Sequence, residues 1–262
     1  LSVLVPNKRA GLWVGSMRTA PGGECSTAMG LPRVATGARP PCFFGMRRHR
    51  CVMAEWISGE SVGNDRHLDA FAVVRHELIH DAANVALREQ GMDPIYTAGA
   101  AARVAVIGQA PGRRAQASGV PWDDASGVTL MQWLGVTEGQ FRDPDKFALL
   151  PMDFYYPGPG RGGSGDAPPR RGFAARWHPP LFALMPNIRL TLLIGRYAQQ
   201  AYLPIARAET LTDTVRRYEQ FLPERFPLVH PSPLNFRWHA RNPWFAAEVV
   251  EDLRRHIETA LR

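Results

Sequence analysis

The sequence predicts an α/β fold: a three-layer α/β/α domain around a central four-stranded parallel sheet. Two observations carry this. Four short apolar runs alternate with segments of helical periodicity, the pattern of a parallel sheet covered on both faces. Two of those runs also end in unusual loops, Gly108-Gln109-Ala110-Pro111-Gly112 and His230-Pro231-Ser232-Pro233-Leu234-Asn235. In such sheets, ligands bind beyond the carboxyl ends of the strands.

The elements follow in order. Residues 65–91 read as one helix, with Leu68, Phe71, Ala72, Leu78, Ile79 and Val85 at helical spacing and Gly91 at its end. Residues 102–112 are the first strand, a β-branched run entering a glycine turn. Residues 126–136 read as a helix with Leu130, Trp133 and Leu134 on one face. Residues 146–158 form a second strand and its exit, and 187–195 a third, followed by the helix Arg196–Leu203. A helix over 210–222 precedes the fourth strand, 225–233. The last helix opens at Asn242-Pro243-Trp244, with Asn242 as cap and Pro243 in the first turn.

The N-terminal stretch is different. Residues 1–63 are rich in Gly, Pro, Arg and Ser with little periodicity, so they read as a disordered or poorly ordered basic tail preceding a domain over 64–262. Of the net charge of +7, +5 falls within residues 1–66. Overall basicity is therefore weak evidence for nucleic acid. Cys25, Cys42 and Cys51 all lie in the same stretch. A cysteine-ligated zinc or iron–sulfur site in the domain is excluded. No apolar run is long enough to cross a membrane, and the first residues make a poor signal peptide, because Pro6 and Lys8-Arg9 break the apolar stretch.

Three motifs invite chemistry. His76-Glu77-Leu78-Ile79-His80 has the H-E-x-x-H spacing that places two histidines one helical turn apart around zinc. No further histidine follows in the helix, and Glu89 lies on the same helix, where it could not close the coordination sphere. The match reads as chance on an amphipathic helix, and zinc hydrolysis stays a remote alternative. Gly158-Pro159-Gly160-Arg161-Gly162-Gly163 formally satisfies G-x-G-x-x-G, but Ser-Gly-Asp-Ala-Pro-Pro follows it instead of a helix. Without a helix N-terminus there is nothing to hold a pyrophosphate. The segment reads better as a flexible loop carrying arginine near a phosphate backbone. The loop at 230–235 is the most specific. Its two prolines hold the backbone rigid while a histidine, a hydroxyl and an apolar tip project from it.

The ordered set GQAPG, SGVPWDDASG, LLIGRYA and HPSPLN resembles the uracil-DNA glycosylase superfamily over residues 67–262. It is closest to the bacterial branch whose first motif reads G-E/Q-A-P-G. The resemblance implies a four-stranded parallel sheet between helices, and an enzyme of base-excision repair that flips a damaged base from DNA and cleaves its glycosidic bond. It implies no metal or cofactor. His230 would stabilise charge developing on the departing base. Trp122 would stack on that base. Gln109, with Gly108 and Ala110, would hold base and water, and Pro111, Gly112, Ser232 and Pro233 would contact DNA. Leu234 would wedge into the vacated stack.

The chain departs from the family pattern in three places. Ala110 stands where the best-known branch has a water-orienting aspartate. Gln109 stands where the iron–sulfur branch often has Glu. No Asn follows the second strand to read the uracil edge. Asp123, Asp124 and Asp153 are carboxylates near enough in sequence to compensate; Asp123 is taken as a catalytic candidate and Asp153 as a base-binding one. The expected partner is DNA, and the expected form is a cytoplasmic monomer. The rival reading is a catalytically weak or inactive nucleic-acid-binding module on the same fold.

Overall fold

The computed structural model describes residues 70–262 apart from Ser164 and Arg207. The expected tail, its three cysteines and the first residues of the expected domain lie outside them.

Helices α1 (Ala70–His80) and α2 (Val85–Glu89) precede strand β1 (Val104–Ile107). Then come α3 (Arg113–Ser118), α4 (Ala125–Leu134), α5 (Glu138–Phe141), β2 (Phe147–Leu149), α6 (Phe173–Ala183), β3 (Leu190–Ile194), α7 (Gly195–Tyr202), α8 (Leu211–Arg216), β4 (Arg225–Leu228), α9 (Phe236–Arg241) and α10 (Val250–Leu261). The sheet order is β2-β1-β3-β4. Every pairing is parallel, with Val104 opposite Phe147 and Leu190, and Leu193 opposite Pro227. The three-layer architecture expected from the sequence is the one observed.

The strands read as continuous apolar runs because both of their faces are buried. Val104, Val106, Leu190, Leu192 and Ile194 point to one side, where they pack with α4, α8 and α10 through Leu130, Val215 and Leu253. On the other side Ala148 joins a cluster built by α1 and α6, and Ile107 and Leu193 meet Ala198 of α7. This is the two-residue side-chain period of a strand between two helical layers. Pro227 is tolerated because β4 lies at the edge of the sheet, where a missing N–H leaves no partner unsatisfied.

Three sequence expectations are corrected. The helix expected over 65–91 breaks at Asp81, whose carboxylate accepts from the Ala83 N–H at 2.8 Å, while Asn84 donates to the Leu78 carbonyl at 2.7 Å. These two polar side chains compete with helical hydrogen bonding and start a new turn. The helix expected over 210–222 is α8 followed by a 3-10 turn, Tyr218–Phe221. Asn242 does not cap the last helix. It donates to the Trp238 carbonyl and accepts from the Trp244 indole, and the chain enters α10 through a π-helical segment, Phe245–Val249. The helix α6, which no sequence reading covers, carries Pro179-Pro180 inside it, although proline normally ends a helix.

Candidate active site

The site lies beyond the carboxyl ends of the strands, where a cavity of about 340 Å³ opens. Its floor is the turn that follows β1. Gly108 leaves the strand there, and its carbonyl and that of Gln109 accept from the N–H groups of Met152 and Asp153. The exits of β1 and β2 are thereby bound together.

Trp122 forms one wall. Its backbone sits at φ 58°, a left-handed conformation that costs a non-glycine residue about 1–2 kcal/mol. Two glycines make room for it. A Cβ on Gly127 would lie 1.9 Å from the Trp122 carbonyl oxygen, and one on Gly108 would lie 2.9 Å from Cζ2 of the indole. Arg142 donates to the neighbouring Pro121 carbonyl at 2.9 Å. The indole is thus placed by backbone geometry, with its ring centroid 6.0 Å from that of His230 and tilted by 30°.

His230 lies two residues past the end of β4, and the loop that carries it is tied to itself. Asn235 donates to the His230 carbonyl at 2.7 Å, and the Ser232 hydroxyl accepts from the Leu234 N–H at 3.2 Å. Leu234 projects at the cavity rim with 82% of its surface exposed, and Phe236, two residues on, is 64% exposed. Burial pushes the His230 imidazole below its ordinary range, and the carboxylates of Asp124 and Asp166 only partly oppose this. At neutral pH the ring is therefore neutral and able to donate one N–H.

The structure brings Gly108, Gln109, Ala110, Pro111, Gly112 and Trp122 to this cavity, together with His230, Ser232 and Leu234. It does not bring Asp123, Asp153 or Pro233. Asp123 faces Arg114 at 3.7 Å. Asp153 is buried, accepts from the Tyr155 N–H, and holds the Arg170 guanidinium through two bonds of 2.7 and 2.8 Å. It therefore stands as a structural carboxylate beneath the site. Pro233 opens the 3-10 turn behind Leu234.

Two carboxylates do line the cavity. Asp124 caps α4, accepting from the Gly127 N–H at 2.9 Å through one oxygen. Asp166 arrives from the segment after β2 and carried no sequence signal. The stretch expected to be a flexible loop is instead a hairpin. Gly160 donates to the Gly165 carbonyl and Ala167 to the Gly158 carbonyl, and Pro159 and Asp166 form an antiparallel bridge. Gln109 reaches across to it, donating from Nε2 to the Ala167 carbonyl at 2.8 Å and to the Asp166 carbonyl at 3.4 Å.

The two helix histidines lie elsewhere. His76 and His80 stack at 4.0 Å on α1, and Nδ1 of His80 lies 2.8 Å from the His76 carbonyl oxygen. Among the described residues no further donor completes a metal-binding group with them.

The fold and site together define an α/β protein with a cavity beyond the strand ends, walled by the Trp122 indole and the buried His230 imidazole. The family model of the uracil DNA glycosylase superfamily matches residues 95–254, and the chain belongs to that superfamily. The family acts on DNA. Among the described residues no helix is long and apolar enough to cross a membrane.

Proposed function

We propose that the chain is a DNA glycosylase of base-excision repair, hydrolysing the N-glycosidic bond of uracil or another deaminated base flipped out of DNA. The observation that carries this is the placement of Trp122 and His230 on one cavity with exposed Leu234 at its rim. Leu234 enters the stack as the nucleotide leaves it, and Trp122 receives the base on its face. As the bond between C1′ and the base nitrogen breaks, its electron pair moves into the base and negative charge grows on the carbonyl oxygens. The His230 N–H stabilises that charge, and a neutral donor does so without holding the product as a tight ion pair. Water completes the reaction at C1′. Ser232 and the proline-stiffened backbone around it contact the flanking phosphates. The same reading makes the protein a monomer working in the bacterial cytoplasm.

The test is excision from single- and double-stranded oligonucleotides carrying uracil, hypoxanthine or xanthine, detected by alkaline cleavage at the abasic site. Release from at least one of them is expected. DNA binding with no release from any would instead support the non-catalytic module.

A further inference from the structure

Hydrolysis at C1′ requires a proton acceptor for the attacking water, and Ala110 supplies none. We propose that Asp166 is this acceptor, and that Gln109 is a positioning residue whose amide pins the Asp166 hairpin over the cavity. This inference rests on the glycosylase reading above.

The argument begins with Gln109. Its Nε2 donates to two backbone carbonyls of the hairpin. A glutamate carboxylate would face those same oxygens with no proton to donate and would repel them. Glutamine at this position is therefore matched to the hairpin, and the hairpin carries Asp166. Among the described residues, nothing donates a hydrogen bond to the Asp166 carboxylate and no ion pair engages it, although it lines the cavity. The other cavity carboxylate is differently placed, since one oxygen of Asp124 is committed to capping α4.

Gly112 shows where the two carboxylates converge. A Cβ on Gly112 would lie 3.5 Å from Oδ2 of Asp124 and 3.9 Å from Oδ2 of Asp166. The position that a side chain would fill is therefore bordered by an oxygen of each carboxylate. The surroundings favour a base over a spectator carboxylate. Burial raises the Asp166 pKa and Asp124 adds to the rise, against His230 and Arg113, which lower it. A more basic carboxylate accepts a proton from water more readily.

In the step, the water oxygen bonds to C1′ while the bond from C1′ to the base nitrogen breaks. The bonding pair leaves with the base, and the water proton passes to an Asp166 oxygen. No other reactant is needed.

The experiment uses the full chain in single-turnover excision from the oligonucleotide that wild type cleaves best, with DNA affinity measured separately. Asp166→Asn should lower the rate about 10²-fold or more, within the range for general-base catalysis, at unchanged affinity. The wild-type rate should fall on acidification as Asp166 takes up a proton, and Asp166→Asn should lose that limb. Formate should restore part of the rate to Asp166→Ala, which a merely structural carboxylate would not allow. Gln109→Leu should lower the rate in wild type but add nothing to Asp166→Asn, because both changes remove one function. Asp166→Asn excising within threefold of wild type, or Asp166→Ala showing no formate rescue, overturns the proposal and leaves the glycosylase reading intact. A wild-type chain that excises nothing overturns both.

Discussion

Gly108→Ala tests whether the aromatic wall is placed by the backbone. The new methyl would lie 2.9 Å from Cζ2 and 3.3 Å from Cη2 of Trp122. Relief requires the ring to retreat by about half an ångström, since carbon pairs rest near 3.5–4.0 Å. The Trp122 backbone has little freedom to follow, because its carbonyl lies against Gly127 and its φ is already left-handed. The indole must tip within the slot, changing the 6.0 Å spacing to His230. Overpacking of this size costs about 1–3 kcal/mol. Misplacement approaching 1 Å lowers rate by about 10²-fold, so a tenfold or greater fall in single-turnover excision is expected, with a modest fall in melting temperature. Trp122→Phe in the Gly108→Ala background removes the clashing ring atoms and should recover stability relative to Gly108→Ala alone. Wild-type excision and melting by Gly108→Ala would refute the reasoning, as would strictly additive effects of the two substitutions.

His230→Ala should lower single-turnover excision by about 10²–10³-fold, the usual loss of one preorganised donor, while DNA binding measured by fluorescence anisotropy persists. Leu234→Ala should weaken excision from duplex more than from single strands, where little stacking has to be opened; equal losses on both would argue against a wedge. Asp153→Asn should act on stability: losing one partner of a buried pair costs about 3–5 kcal/mol, and partial exposure of Arg170 moves the expected loss in chemical denaturation to the low end. His178 should make stability depend on pH. Burial holds its imidazole down at about 4 in the folded protein, below the value of about 6.5 in the unfolded chain. Its contribution is full above that unfolded value and is lost as pH falls toward 4, by up to about 3 kcal/mol. His178→Gln should flatten that part of the stability curve, and an unchanged slope would show that the ring is solvated.

The parts of the fold legible in the sequence are those set by local or periodic chemistry. Val104, Val106 and Leu192 announce buried strands because both sheet faces are covered, and the glycines around Gln109 and the prolines after His230 mark strand exits by their local turn chemistry. The helix α6 was hidden because Pro179-Pro180 carries a strong local breaker signal. Packing of Phe173, Trp177 and Leu181 into the core overrides that signal, as tertiary burial routinely does with propensity.

The carboxylates show the same limit at the site. Asp123, Asp124 and Asp153 lie in or beside readable motifs, yet only Asp124 reaches the cavity. In Asp123-Asp124 neighbouring side chains diverge, and the one that caps α4 is the one turned inward. Asp153 follows a strand that ends at the site, but Arg170 and the Tyr155 N–H claim its oxygens below the floor. Asp166 was unreadable for a different reason. Its position depends on a hairpin closed by backbone bonds from Gly160 to Gly165 and from Ala167 to Gly158, and fastened by a side chain 57 residues earlier in the chain. No periodicity or spacing encodes a tether of that kind. The one sequence trace it leaves is the glutamine at 109, which looks like a departure from the family until the hairpin supplies the two carbonyls that need its N–H groups.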